Sequence, residues 1–460
     1  MKPPHLHPLG DFKPADQWQT HVNAIFYGTK GPAIHAHFQT YVSRDYRLAH
    51  ALAEEFFQQI TTDAKHAPDN LHIHEWGVGN GNLATRFLDH LQEIDSENRV
   101  YPRVRYLLCD YSAEILNGVR ANPALQKHEG HFDTQLVNAE CLEGFTPRSV
   151  TKIIANEIWD DLATRVLLSS QGNLFEEYLQ PMLPEIISDR PFEQFLEEFN
   201  EKNLEALITA PDFLDQIVWE RSFQRVDLGD WPFRDIIGDH MKQVSEDIPI
   251  PINTGAFLTI QQAQNLLVPE SQGYTGFDYG MRSMAHVNRE GRPYFKIYGG
   301  QYTAMVNFPL MAEVGRTVGF DSVHSEPQHE YVGRHLGDQV ISLVELVHGH
   351  RDAPRMEPWD MDLLMLKTLN VLNTTYHNPY PHKMDYPVMP GTPKKHRKLI
   401  AQEAKKLSAT GVPDTVAYVA KGEVFAVAAP LKKLGYREKD LQTAFDPPDQ
   451  PITFSHLRFA

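Results

Sequence analysis

Residues Leu71 to Ala84 read L-H-I-H-E-W-G-V-G-N-G-N-L-A, an apolar run that stops at the alternating glycines Gly77, Gly79 and Gly81 and passes at once into helix-forming sequence. Glycines at this spacing let the backbone take positive φ and approach a ligand closely, and the helix start behind them offers unpaired N–H groups. The stretch predicts a strand over 72–76, a ligand-holding loop and a helix over 82–94. The alternation continues outward, with a strand over 104–109, a helix over 112–122, and strands over 135–138 and 152–155. Strands alternating with helices require crossover connections and a parallel sheet buried on both faces, so the fold class is α/β.

The loop also selects its guest. A dinucleotide fingerprint is G-x-G-x-x-G, whereas the sixth position counted from Gly77 is Asn82. Glu75, two residues before Gly77, would repel a pyrophosphate and favour a cation. S-adenosyl-L-methionine carries an ammonium and a sulfonium and no phosphate, so E-x-G-x-G-x-G at a strand end suits its methionine half. The second strand then supplies Asp110, followed by Tyr111, for the ribose hydroxyls, and Asn138-Ala139-Glu140 at the third strand end lies beside the adenine. The candidate cofactor residues are Glu75, Gly77, Gly79, Gly81, Asp110, Tyr111, Ala139, Glu140 and Asn156. A plain strand–helix turn at the glycines and a helix cap at Asp110 are the structural alternatives.

Composition narrows the class. The chain has 460 residues, Lys+Arg 43 against Asp+Glu 60, a formal charge of -17 and 42% hydrophobic content, enough for more than one domain. That charge argues against nucleic acid as the main partner, which would need a basic face. No apolar run approaches the roughly 18 residues of a membrane span. The proline-rich start, Met1 to Pro14, lacks a signal-peptide core, so the expected compartment is the cytoplasm. Cys109 and Cys141 exclude a disulfide framework and read as small core residues. The H-x-H pairs His35/His37, His72/His74 and His348/His350 lack a nearby Cys or carboxylate at zinc spacing, so no metal is expected.

The chain divides into an N-terminal helical segment over 1–65, with a helix over 43–60, and the first part of a Rossmann-like core over 66–180. An acidic helical insertion without strand signal, a substrate lid, fills 181–250. The second part of the core, over 251–336, closes on a last strand over 323–332, and an α+β extension occupies 337–460 with β character over 416–427.

Glu75 to Gly81, Asn156-Glu157-Ile158-Trp159-Asp160-Asp161-Leu162 and Phe277-Asp278-Tyr279-Gly280 resemble the glycine loop, the N-E-h-h-D-A-L-P segment and the D-Y-G strand end of the MidA-like (DUF185) methyltransferases. That family includes the mitochondrial complex I assembly arginine methyltransferase. Phe38 to Ser43 resembles the family's F-x-T-x-x-x-S segment, and Tyr302 to Phe308 its T-A-H-V-D-F helix start. The resemblance spans about residues 25 to 335 and implies a class I methyltransferase fold, a mostly parallel seven-stranded sheet, with S-adenosyl-L-methionine as cofactor. The chain departs from the pattern at Asp161 and Ala163, where the family has Ala and Pro, and at Met305 and Asn307, where it has His and Asp. The cofactor half of the pattern is kept and the substrate half altered.

Methyl transfer is an in-line displacement, so the protein has mainly to align a nucleophile and exclude water. A nucleophile that carries a proton needs a carboxylate to take it, and Glu157, Asp160 and Asp278 come at strand ends on the same sheet edge. These are the candidate catalytic residues. The acceptor expected is a protein side chain, arginine-like, or a small molecule, and a homodimer is compatible with the sequence. The rival readings are a non-catalytic binding protein or assembly factor that keeps the fold, and a nicotinamide oxidoreductase, which Glu75 and Asn82 disfavour.

Overall fold

The computed structural model describes residues 5–31, 45–62, 68–184, 190–210, 212–376, 378–380, 388, 391–408, 417–446 and 448–460. The Phe38–Ser43 segment and the His35/His37 pair lie outside them.

Seven strands carry the main sheet: β1 Leu71–Trp76, β2 Val104–Asp110, β3 Phe132–Leu136, β4 Lys152–Asn156, β5 Tyr274–Met281, β6 Val323–Pro327 and β7 Thr453–Phe459. Their spatial order is β3-β2-β1-β4-β5-β7-β6, and the short strand Val306–Asn307 joins beside β5. The first five run parallel, while β7 enters antiparallel to both β5 and β6. Every residue of β4 and β5 is buried, as a sheet covered on both faces requires. Successive side chains of β4 serve opposite cores. Ile153 and Ala155 join Trp76, Phe257 and Ile260 on one face, whereas Ile154 joins Phe56, Phe87 and Leu108 on the other.

Two sequence expectations are corrected here. The expected helical insertion over 181–250 contains the strand Val218–Arg225, which pairs along the twelve-residue strand Asn173–Pro184. These belong to a second, antiparallel sheet with Arg165–Ser170, Ile250–Ile252 and the N-terminal Leu6–Pro8. Its hairpin turns at Gln171 and Gly172, both at positive φ (50° and 72°), the geometry that matches strand twist in two-residue hairpins. The second correction concerns closure. The expected strand over 323–332 ends at Pro327 and becomes the helix Gln328–Leu336, so the sheet is completed by β7 from the far end of the chain. Residues between β6 and β7 build a separate core around Leu346, Leu366, Leu369, Tyr436 and Leu441. There the expected β segment over 416–427 is a three-residue strand, Tyr418–Ala420, followed by the helix Lys421–Ala426.

A helix not anticipated from sequence, α1 Ala15–Lys30, lays Trp18, Val22 and Phe26 against the second sheet. Helix α2, Arg47–Thr62, covers the main sheet. Cys109 is buried as expected, but Cys141 is exposed, because it sits in the turn after β3 and not on a strand.

Candidate functional site

The chain passes from β1 into helix α3, Asn82–Ile94, through Gly77, Gly79 and Gly81, whose φ angles are 75°, 51° and 75°. All three lie where only glycine is comfortable. The loop is fixed from below by the Gly77 N–H, which donates to the Cys109 carbonyl at the end of β2 (2.9 Å), and by the Gly81 N–H to Val78 O (2.8 Å). Gly81, at the N-cap of helix α3, has no side chain to cap it, and the Asn80 side chain accepts the Asn82 N–H at 3.0 Å.

Glu75 is buried to 2% exposure, and Tyr106 donates its hydroxyl to Glu75 Oε2 at 2.7 Å. Burial pushes its carboxyl up to about 8, with Asp110 adding repulsion and the Tyr106 hydrogen bond opposing. The protonated form is therefore favoured at neutral pH. Asp110, also buried, accepts from Ser112 N (2.9 Å) and is raised to about 6 by burial, against backbone hydrogen bonds that include Val78 of the glycine loop. Tyr111 follows with 52% exposure. Beyond β3, Ala139 packs half-buried against the core beside Val137, while Glu140 turns away to accept from Ala163 N (3.2 Å).

The second half of the site is the turn after β4. Glu157 stands at φ 50°, a conformation unfavourable for a residue with a side chain, and its N–H donates to Phe277 O of β5 at 2.7 Å. Burial and the charge of Asp160 raise its carboxyl to about 8. Asp160 is buried, held above the usual carboxylate range by burial, and its Oδ2 accepts from Tyr279 OH at 2.6 Å. Asp161 accepts from Tyr27 OH and Gln301 Nε2. Asp278 corrects a sequence assignment. It is fully buried, its Oδ2 takes the N–H groups of Trp159 (2.9 Å) and Asp160 (3.2 Å), and its Oδ1 takes that of Tyr279 (2.8 Å). Fully buried and with both oxygens engaged by backbone amides, it shapes the turn. Trp159 is core, donating its ring N–H to Tyr274 OH at 2.7 Å.

The structure therefore brings Glu75, the three glycines, Asp110, Asn156, Glu157 and Asp160 to one edge of the sheet. Sequence reasoning missed Tyr27 and Gln301. Gln301 immediately precedes the Tyr302–Phe308 segment, which gave a positional hint, but nothing in the sequence tied α1 to the site.

Two observations test the fit of S-adenosyl-L-methionine. The glycine cradle admits no β-carbon at Gly77, because Ile158 fills that space. Asn156 Oδ1 and Asp160 Oδ1 are buried without a hydrogen-bond partner among the described residues, so the edge retains acceptors for a donor-bearing guest. Two buried acids, Glu75 and Asp110, flanking the glycine loop fit a cationic nucleoside better than a phosphorylated one. Glu75 and the loop would hold the amino-acid half, and Asp110 the ribose.

A sheet ordered β3-β2-β1-β4-β5-β7-β6 with its single antiparallel strand at β7, and this cradle at the β1 edge, is that of a class I methyltransferase. A family model described as "Putative S-adenosyl-L-methionine-dependent methyltransferase" matches residues 51–323, more than half of the chain, and the chain belongs to that family. Its cofactor is S-adenosyl-L-methionine. Among solved structures, a COG1565 superfamily member from Burkholderia thailandensis bound to S-adenosyl-homocysteine aligns with 15% identity, TM-score 0.49, over 70% of this chain and 76% of its own. The [4+2]-cyclase SpnF aligns at 9% identity and TM-score 0.33, over 73% of this chain and 84% of that one. No curated protein matches the sequence. Among the described residues no helix is long and apolar enough to cross a membrane.

Proposed function

We propose that this enzyme methylates a proton-bearing nucleophile, a protein side chain of the arginine type or a small molecule, presented at the turn between β4 and the second sheet, with Glu157 as the group that takes the proton. The cofactor, when bound, supplies an electrophilic methyl group on a sulfonium. Glu157 would take the proton that the acceptor gives up as it gains the methyl group. Asp160, oriented by Tyr279, holds the acceptor's remaining donor through its unpartnered Oδ1. Asp278 fixes the turn that carries both.

The observation that carries this reading is the backbone of Glu157. A bulky residue kept at φ 50° costs on the order of 1 kcal/mol or more and persists where the surroundings over-determine it. Burial and Asp160 raise the Glu157 carboxyl to about 8, so the ionised form that can take the proton grows as pH rises from neutral toward 8, and activity should rise with it. The resemblance to MidA-like methyltransferases supports a protein acceptor. The proposed organisation is a core of residues 66–180 and 251–336 completed by β7, with the second sheet and the 337–452 segment as additions around it. Nucleic acid stays outside the proposed partners on charge.

The test is methyl incorporation from isotopically labelled cofactor into fractionated cell extract, with Glu157→Gln alongside. Loss of incorporation with S-adenosyl-homocysteine affinity kept within about tenfold, ~1.4 kcal/mol, is the expected result. Equal loss of affinity and incorporation would give Glu157 a structural role only.

A further inference from the structure

Asp161 stands where the resembled segment has alanine, so it is an acid this chain has added beside the proposed acceptor turn. It comes with dedicated partners. Tyr27 OH and Gln301 Nε2 both donate to its carboxyl, and Gln301 Nε2 also reaches Tyr27 Oη at 2.7 Å. Tyr27 is the last rung of a polar ladder at i, i+4 and i+8 on α1. Gln19 donates to Asp160 O (3.0 Å) and accepts from Thr164 N (2.9 Å), and Asn23 pairs with the N–H and C=O of Tyr302, both at 2.9 Å. Gln19 and Asn23 are buried, so each side-chain amide replaces water on backbone groups of the turn and of the Gln301–Ala304 strand. The ladder sets the height of α1 over the site and delivers the Tyr27 hydroxyl. On its other side the Tyr27 ring meets Tyr111 edge-on, centroids 5.9 Å apart, and Tyr111 directly follows the cofactor acid Asp110.

We propose that Asp161, held by Tyr27 and Gln301, forms the wall of the site facing the transferable methyl group, with Tyr27 as its positioning residue and α1 as part of the active site. The inference rests on the reading of the β4 turn as the acceptor side. α1 lies before residue 51, where the family match begins. The groups facing Asp161 are Glu157 and Asp160 on its own turn, Tyr27 on α1, Tyr111 after β2, and Gln301; Asp278 and Tyr279 of β5 stand behind Asp160. The Tyr27 and Gln301 hydrogen bonds favour the ionised form of Asp161, opposing burial and its acidic neighbours.

S-adenosyl-L-methionine differs from S-adenosyl-homocysteine by a methyl group and a positive charge on sulfur, so the ratio of their affinities reports the charge facing that position. Calorimetric affinities of both ligands would be measured from pH 5.5 to 9 for wild type, Asp161→Ala, Asp161→Asn and Tyr27→Phe. Wild type should favour the charged ligand increasingly with pH, and Asp161→Ala and Asp161→Asn should both lower that preference by roughly three- to tenfold at the alkaline end. The difference should shrink as pH falls, because burial and the neighbouring acids raise the Asp161 carboxyl and favour its neutral form. Tyr27→Phe should move the midpoint of the Asp161-dependent difference to higher pH. A merely structural role would weaken both ligands together and leave the ratio unmoved, and that result would overturn the inference while methyl transfer stands. An unchanged midpoint in Tyr27→Phe would remove its positioning role. Failure of wild type to bind either ligand would instead overturn the functional reading itself.

Discussion

Ile158 lies over Gly77, its Cγ2 filling the space that a β-carbon on the glycine would need. The first residue of the cofactor loop is thus packed directly under the turn that carries Glu157 and Asp160, and the two halves of the site share one contact. Gly77→Ala meets two penalties, the φ of 75° and the clash with Ile158. The expected outcome is a loss of about 2–4 kcal/mol of stability together with loss of cofactor binding. Pairing it with Ile158→Ala relieves only the clash and should recover part of the stability in a denaturant titration. Full additivity of the two substitutions would show that the contact is absent in solution.

Glu75 gives the protein a pH signature. Its folded-state carboxyl is raised to about 8 from the usual 4.5 by burial, so the folded protein holds a proton there that the unfolded chain has released. Stability from this group is complete below the unfolded value, declines as pH rises from about 4.5, and levels off above about 8. Glu75→Gln keeps an acceptor for Tyr106 OH and escapes the decline. It should match wild type at pH 4.5 and exceed it at pH 8.5 by up to about 4 kcal/mol, read from thermal melts across pH. The same logic has wild type releasing a proton on binding the cationic cofactor at pH 7. Titration calorimetry in two buffers of different ionisation enthalpy would reveal it, and identical heats in the two would contradict the assignment.

Glu157 should show opposed effects on stability and function. Replacing it with glycine relaxes the backbone at φ 50° and removes a buried carboxyl raised by its neighbours. Glu157→Gly is therefore expected to melt higher than wild type, by about 1 kcal/mol or more in stability, with methyl incorporation lost. A lower melting temperature would mean that the Asn156–Glu157 contact (3.4 Å) contributes more than the strain costs.

Much of the proposed cofactor half is legible in the chain because its geometry is local. Three glycines within five residues, Glu75 before them and Asp110 at the next strand end are each dictated by backbone geometry or charge within their own segment. The acceptor half depends on contacts between distant segments, such as Tyr27 to Asp161 and Tyr279 to Asp160, separated by 134 and 119 positions. Asp278 shows the same limit. A carboxylate at a strand end reads as catalytic until the structure gives its oxygens to the amides of Trp159, Asp160 and Tyr279. Asn307, a departure from the family pattern, also finds its reason only in three dimensions. Its Oδ1 accepts from Leu310 N to cap a helix, while its Nδ2 faces the ring nitrogen of buried His240 at 3.1 Å, a pairing that needs an amide. The strand Val218–Arg225 was hidden because it is an outer strand with polar residues on both sides, lacking the apolar alternation that marks a half-buried one.

The late arrival of β7 makes the last sheet position a test of how far the site depends on the whole fold. β7 pairs along seven residues with β5 and five with β6, and it buries Leu457 and Phe459 in the core that also holds Trp159 and Tyr274. It stands three strands from β1, away from the glycine loop in the sheet order. Leu457→Pro removes a ladder donor from a strand flanked on both sides and forces out a buried side chain, a change worth about 3 kcal/mol or more. If the sheet folds as one unit, hydrogen exchange should accelerate in β5 and β4 as well as in β6, and S-adenosyl-homocysteine binding should fall with it. If β7 is instead a late, separable addition, protection should be lost only in β6 and β7 while cofactor affinity stays within twofold. Leu457→Val, which keeps the ladder and most of the volume, should leave both readouts near wild type and separates the backbone effect from lost packing.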